Sequence, residues 1–385
     1  MLPRYSIIVP SRQGMPYLDY ALKSVLAYPR SDMELILSID GVDAHTEALV
    51  SKITDTRVKV IRPVEGLSMS EHWDYAQTFA TGKWQMFLGQ DDLLMQGFSE
   101  LFDSLTNEAE GLGLNVVVAR RAYVTWFPVK DRDLKSLHYW RSDEVQVRDS
   151  LKFVEEALTS DISYHSGPQM YTTTLVSKEL ISKIRGAQSG SLILGHPQDS
   201  FLAASILKFS DRFLWSGKPF SFVGTSDKSA GLAISNHSLN VDVSKIADSY
   251  LRSVSSSKSI AYSSKVDFRH GINARYFYDS IKEVWPSALP LLSKNVKIDA
   301  NIIAGYLDSK VKDLTIEQVC TNNRSLIIKY LIALLIRISR RISAISLEIV
   351  VFFTGNFLAK RIFLQTFDSV EDNDELFRLA MSVKS

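Results

Sequence analysis

Short β-rich runs alternate with helical patterns through the N-terminal part of the chain, and nothing else in the sequence constrains the fold as tightly. Tyr5–Val9 (YSIIV) reads as a strand, and Tyr17–Leu26 follows with Leu18, Ala21, Leu22 and Val25 at helical spacing. Glu34–Ile39 reads as a second strand, His45–Ile53 as a second helix and Val58–Ile61 as a third strand. Ser70–Ala80 predicts a helix, with Gly82 as its terminating glycine, and Trp84–Leu88 a fourth strand running into Asp91-Asp92. Alternation at this spacing implies βαβ units: a mixed, mostly parallel sheet with helices on both faces. Ligands of such sheets bind at the carboxyl ends of the strands.

Further along, Asn115–Ala119 predicts a strand, and Arg120 to Ser150 is aromatic and charged without a clean period. Leu151–Thr159, Lys178–Ile184 and Asp199–Leu207 predict helices, and Phe213–Gly224 holds strand-like material. After about Asn240 the texture changes to long helical patterns and Ser-rich connections, so a catalytic domain is expected over 1–240 and a helical region over 241–385.

Composition narrows the class. With 45% hydrophobic and 23% charged residues, the 385-residue chain can bury a sizeable core. A formal net charge of +1 gives no nucleic-acid signature. One cysteine, Cys320, rules out an intramolecular disulfide and fits a reducing, cytoplasmic compartment. The apolar stretch at the start is too short for a signal peptide. The nearest candidate membrane span, Ile342 to Ala359, carries Glu348 and Asn356, and a mid-span carboxylate costs about 2.5–3.5 kcal/mol.

The chemistry gathers at the strand ends. Strand one ends in Pro10-Ser11-Arg12, strand two in Asp40-Gly41, and strand four in Gly89-Gln90-Asp91-Asp92. In a parallel sheet these meet on one edge, where carboxylates suit a divalent cation and a hard cation suits phosphates. Each piece alone has a plainer reading. Asp-Gly is a common turn, and Asp-Asp after a strand often caps a helix.

The runs YSIIVPSRQGMPYLDYALKSVL, ELILSIDG and KWQMFLGQDDLL together resemble family 2 glycosyltransferases of the GT-A fold. The resemblance is close over about residues 4–105 and looser to about 240. It implies an inverting transferase that uses a nucleotide-sugar donor and Mn²⁺ or Mg²⁺, with a glycan or lipid-linked acceptor, as in bacterial surface-polysaccharide synthesis. Pro10, Ser11 and Arg12 would contact the nucleotide, Asp40 the base, and Gln90 and Asp91 the metal-binding DXD position, with Asp92 beside it. The first acidic position of that motif is Gly89 here. The general base usual in the family maps onto Asp199, in GHPQDSFL, where the acidic pair has become Gln198-Asp199; Asp161 is the alternative. Asp199 also reads as the first-turn acid of a helix that follows Pro197. His237 is the candidate histidine for the metal or diphosphate, and Lys228 can pair with phosphate or with solvent. His72 and Asp74 lie on the helix that the family packs under the diphosphate and either face the site or serve as capping or surface groups; His165 and His196 read as structural or acceptor-facing.

Two rival functions use the same features. A nucleotidyltransferase also needs an α/β sheet and a carboxylate-held metal, but PSRQGMP is a poor nucleotidyl-transfer loop. A catalytically inactive binding module would account for Gly89 and Gln198. In the C-terminal region, RSLIIKYLIALLIRISRR (324–341) places Lys329, Arg337, Arg340 and Arg341 in one sector of about 120° on an otherwise apolar helix. Such a helix lies in the interface of an anionic membrane or packs against protein, including a second subunit.

Overall fold

A computed structural model describes residues 2–12, 16–41, 43–63, 67–129, 137–159, 162–195, 197–227, 229, 273–292, 363–367 and 372–385. The main sheet begins with four parallel strands in the order β3-β2-β1-β4: β1 (Tyr5–Ser11), β2 (Met33–Ile39), β3 (Val58–Ile61) and β4 (Trp84–Phe87). Register aligns Ser11 with Ile39 and Ile8 with Phe87, so these strands deliver their following loops to a common edge. The sheet continues through β10 (Thr174–Ser177), β6 (Val116–Ala119), β11 (Arg212–Ser216) and β9 (Val145–Asp149). β10 runs against both neighbours, and β9 runs against β11. Six of the eight strands share one direction, the mixed, mostly parallel arrangement expected.

Alternation along β1 loads both faces. Ile8 joins one core, while Tyr5, Ile7 and Val9 join the other. The second core is covered by α1 (Tyr17–Leu26), through Leu18, Leu22 and Val25, and by α4 (Phe98–Gly111), through Phe98, Phe102 and Leu105. The first is covered by α3 (Met69–Gln77), α5 (Ser150–Leu158), α6 (Lys178–Ala187) and α7 (Gln198–Phe209). Local chemistry starts these helices. Asp43 caps α2 (Ala44–Val50) by accepting from the N–H groups of His45 and Thr46. Ser68 and Glu71 form a capping box on α3.

Several expectations are corrected. α3 ends at Gln77 with Thr78 as its C-cap, so Gly82 does not terminate it. A Cβ at Gly82 would stand 2.7 Å from the backbone N of Ser6, so the glycine permits close approach to β1. The aperiodic stretch after Arg120 holds β7 (Ala122–Thr125), β8 (Leu137–Arg141) and β9. The strand-like material after Phe213 is two strands in different sheets, β11 and β12 (Ser221–Thr225). The second sheet has the order β13-β8-β7-β12-β5, with β5 (Leu93–Leu94) and β13 (Phe363–Phe367) at its edges.

The described parts of 241–385 pack into the first 240 residues. α8 (Asn273–Val284) puts Phe277 and Ile281 into the core shared by α5 and α7, and α9 (Ala288–Leu292) follows it. α10 (Asn373–Ser382) puts Leu376 and Ala380 against Tyr20, Trp126 and Tyr139. The basic segment 324–341, Cys320, Asp161, His196, Lys228 and His237 lie outside the described residues. Among the described residues no helix is long and apolar enough to cross a membrane.

Candidate active site

The ends of β1 and β2 and the loop after β4 are tied by one amide. Gln90 Oε1 accepts from the Ser11 hydroxyl at 2.8 Å and from the Arg12 N–H at 3.0 Å. The Asp40 N–H donates to the Ser11 carbonyl at 2.9 Å, and Gly41 takes φ +89°, a conformation glycine adopts without strain. Pro10 lies opposite Ser38 in the β1–β2 register. Arg12 Nε stands 3.7 Å from Asp40 Oδ2, in a pair whose arginine is more than half exposed and therefore screened. Pro10, Ser11, Arg12, Asp40 and Gln90 are thus brought together at one edge.

His72 lies beneath this edge, its Nε2 2.8 Å from the Ser38 hydroxyl. Burial lowers its pKa to about 4 against the opposing pull of Asp40, so the imidazole is neutral at pH 7. Asp74 faces away. It pairs with Arg185 at 3.0 Å and accepts from the Leu192 N–H at 2.7 Å, pinning the loop after α6.

Asp91 and Asp92 are both buried but point to different tasks. Asp91 Oδ2 accepts from the hydroxyls of Ser226 at 2.7 Å and Ser229 at 2.5 Å. Its carbonyl accepts from Trp126 Nε1 at 2.7 Å. Burial raises its pKa, and the charge of nearby Asp227 adds to the rise. Asp227 in turn accepts from the Tyr17 hydroxyl at 2.9 Å.

Asp92, expected beside Asp91 at the metal, is engaged on both oxygens by the scaffold. Its Oδ1 accepts from the Gly224 N–H at 2.6 Å, and its Oδ2 accepts from the Gly89 N–H at 2.8 Å and from the Thr172 hydroxyl. Tyr171 also donates to it. Burial and the Asp91 charge push its pKa up to about 6. This arrangement explains Gly89. A Cβ there would meet Asp92 Oδ2 and the Tyr171 hydroxyl, each at 2.6 Å, so the motif's first side chain has no room. Gly224 is equally constrained, since its Cβ would fall 1.8 Å from the Asp91 carbonyl oxygen.

The donor set around Asp91 suits a hard cation: carboxylate oxygens of Asp91 and Asp227, with serine hydroxyls alongside. Among the described residues no group of three or more His, Cys, Asp or Glu side chains could hold a metal ion. A cation here fits a site completed by substrate phosphates, as hard divalent ions with one or two protein carboxylates commonly are.

Asp199 occupies the first turn of α7, after Pro197, and accepts from the Ser200 N–H. Both features expected of a helix-start acid are present, but its surroundings go further. The Tyr164 hydroxyl lies 3.4 Å from Oδ2, a long and weak contact, and His165 Nδ1 lies at 4.0 Å. Tyr164 is held by stacking on Phe277 of α8 at 5.5 Å. Burial raises the Asp199 pKa, and the positive charge of Arg121 partly offsets the rise. The Arg121 charge also lowers the Tyr171 pKa against the larger upward push of burial, so one guanidinium's field reaches both the Tyr171–Asp92 pair and Asp199.

Sequence reasoning missed Arg121, Gln169, Tyr171, Thr172, Ser226 and Ser229. Most sit in loops without a motif, and their partners are remote in sequence. Met170 and Thr172 take positive φ of 53° and 48°, flanking Tyr171 with strained backbone, and that strain has no short-range sequence signal.

Residues 6–159 match the sequence profile of glycosyl transferase family 2. A stretch of 119 residues is 31% identical to the uncharacterized glycosyltransferase EpsJ of Bacillus subtilis (strain 168), covering 30% of this chain and 33% of that protein. The chain therefore spans about a third of the length of this curated relative. The crystal structure of S. aureus TarS 1–349 is similar over 79% of this chain and 89% of that one, with TM-score 0.44 and 14% identity. The same protein in complex with UDP-GlcNAc is similar over 78% of this chain and 84% of that one, with TM-score 0.44 and 13% identity. The profile match runs from β1 to α5 and takes in the strand-end site, so over residues 6–159 the chain is similar to glycosyltransferase family 2.

Proposed function

We propose that this protein is an inverting glycosyltransferase. It moves a sugar from a nucleoside-diphosphate donor to a hydroxyl of a glycan or lipid-linked acceptor, in the synthesis of a bacterial surface polysaccharide. Two observations support the reading: the strand-end edge of Ser11, Arg12, Asp40 and Gln90 with the oxygen-lined Asp91 in the loop that follows, and a separate buried carboxylate, Asp199, whose basicity burial raises.

The acceptor hydroxyl is a poor nucleophile at neutral pH, and Asp199 takes its proton as the oxygen bonds to the anomeric carbon. The bond from that carbon to the diphosphate breaks on the opposite face, and its electron pair leaves with the diphosphate oxygen. One base and no nucleophilic side chain make this a single displacement that inverts the anomeric centre. A divalent cation held by Asp91, with His237 as a further ligand, would offset the charge that builds on the leaving diphosphate. The Arg12 guanidinium and the strand-end N–H groups orient the nucleotide.

A thermal-shift panel of nucleoside diphosphates with Mn²⁺ identifies the donor class, since ligand at 100 times its dissociation constant adds about 2.7 kcal/mol. Asp91→Ala should abolish the Mn²⁺-dependent part of that shift while melting cooperatively. Undiminished Mn²⁺-dependent binding would remove Asp91 from the metal role. With acceptor present, release of nucleoside diphosphate marks a transferase and pyrophosphate a nucleotidyltransferase; release of neither marks an inactive binding module.

A further inference from the structure

Behind Asp199 runs a chain of side chains that the proposed reaction does not use. Arg121 Nη2 donates to Gln169 Oε1 at 2.5 Å. Gln169 Nε2 lies 3.2 Å from His165 Nδ1, and that same Nδ1 lies 4.0 Å from Asp199 Oδ2. Gln169 is fully buried, so its amide answers only to these neighbours.

The donors and acceptors allow one assignment. A guanidinium has hydrogens and no acceptor, so the amide oxygen must face Arg121. The amide NH₂ then faces His165 and can only donate. Nδ1 must therefore present its lone pair, which leaves the ring proton on Nε2. A proton on Nδ1 would confront the amide hydrogens.

We propose that Arg121 and Gln169 are positioning residues that hold His165 in its neutral, Nε2-protonated form and so keep it from neutralising Asp199. The ring nitrogen nearest the carboxylate is barred from donating to it, and the carboxylate stays available for an acceptor hydroxyl. The function of the device rests on Asp199 being the base; the tautomer itself does not.

The test uses the full chain labelled with ¹⁵N-histidine and ¹³Cγ-aspartate. Signals are assigned by their loss in His165→Asn and Asp199→Asn. Wild type should show a pyridine-like Nδ1 and a pyrrole-like Nε2 on His165. Arg121→Lys, which still has only hydrogens to offer, should preserve that pattern. Arg121→Gln frees the amide to turn, and Nδ1 should gain proton occupancy. In Gln169→Glu, the new carboxylate accepts from both Arg121 and Nδ1–H. The proton should move to Nδ1, His165 should titrate at higher pH, and the Asp199 midpoint should fall by about one unit as an imidazolium comes to stand beside it. A pyrrole-like Nδ1 in wild type, or a pattern unchanged in both Arg121→Gln and Gln169→Glu, would overturn the proposal. Failure of the base reading looks different: full turnover in Asp199→Asn, with the donor selected by the panel, would leave the tautomer intact and remove its catalytic purpose.

Discussion

Two residues carry the sharpest consequences for chemistry. Asp199→Asn keeps shape and hydrogen bonding but removes the proton acceptor. Turnover should fall by about 10²–10⁴-fold with donor affinity nearly unchanged, as calorimetry would show. Because burial raises the wild-type pKa, the acid limb of kcat should lie above the ordinary aspartate value of about 3.9. Asp161→Asn is the comparison. If that variant is inactive and Asp199→Asn is not, the base belongs to the loop after α5 and Asp199 only starts a helix. His72 makes a prediction about stability. Its native pKa is lowered to about 4, so the unfolded chain takes up a proton that the native state refuses. Stability is lost as pH falls from about 6.5 to about 4 and the loss levels off below, reaching on the order of 3 kcal/mol. His72→Gln removes the titration. Wild-type stability minus that of the variant should therefore drop across this window in urea melts, and a flat difference would deny a neutral, buried imidazole.

At the scale of elements, α10 tests how far the far end of the chain belongs to the N-terminal half. Leu376 is fully buried beside Trp126 and Tyr139, so Leu376→Ala should cost about 2–5 kcal/mol. Denaturant unfolding should remain one transition, since the residue lies in a core shared with β7 and β8. A separate early transition would mean that α10 melts alone. Strands β1 to β4 and helix α1 were legible in the sequence because their signals are local: β-branched runs, helical spacing and turn residues. The meeting of Ser11, Asp40 and Gln90 followed from parallel order alone. β7, β8 and β10 were not legible, because each is fixed by a partner remote in sequence: β12 for β7, β13 for β8, and β4 and β6 for β10. The division of Asp91 from Asp92 was hidden for a related reason. The donors that immobilise Asp92 come from Thr172 and Gly224, and the clash that requires Gly89 exists only once Tyr171 is in place.

For the molecule as a whole, the lipid-linked form of the proposed acceptor would put the active site near a membrane surface. The basic sector on 324–341 is the sequence feature that would hold it there. Vesicles containing anionic lipid should retain the protein at low salt and release it as salt screens the contact. Replacing Arg337, Arg340 and Arg341 by Glu should abolish retention. If both forms stay in the supernatant, that segment packs on protein instead.

The second sheet also sets the order in which the molecule can be finished during synthesis. β8 pairs with β13, and the backbone of Phe127 is held from both sides by the Asn373 amide, at 2.8 and 2.9 Å. Roughly 220 residues separate β8 from β13. At about 5–20 residues per second, a ribosome needs some tens of seconds to make them. The eight-stranded sheet draws all its strands from before residue 217 and can close in that interval. β8 cannot; it waits with an open edge, the kind of strand that pairs with whatever chain is nearby. A nascent chain paused before Phe363 would thus carry a finished strand-end edge beside an unfinished, adhesive one, and its need for a chaperone should be greatest there.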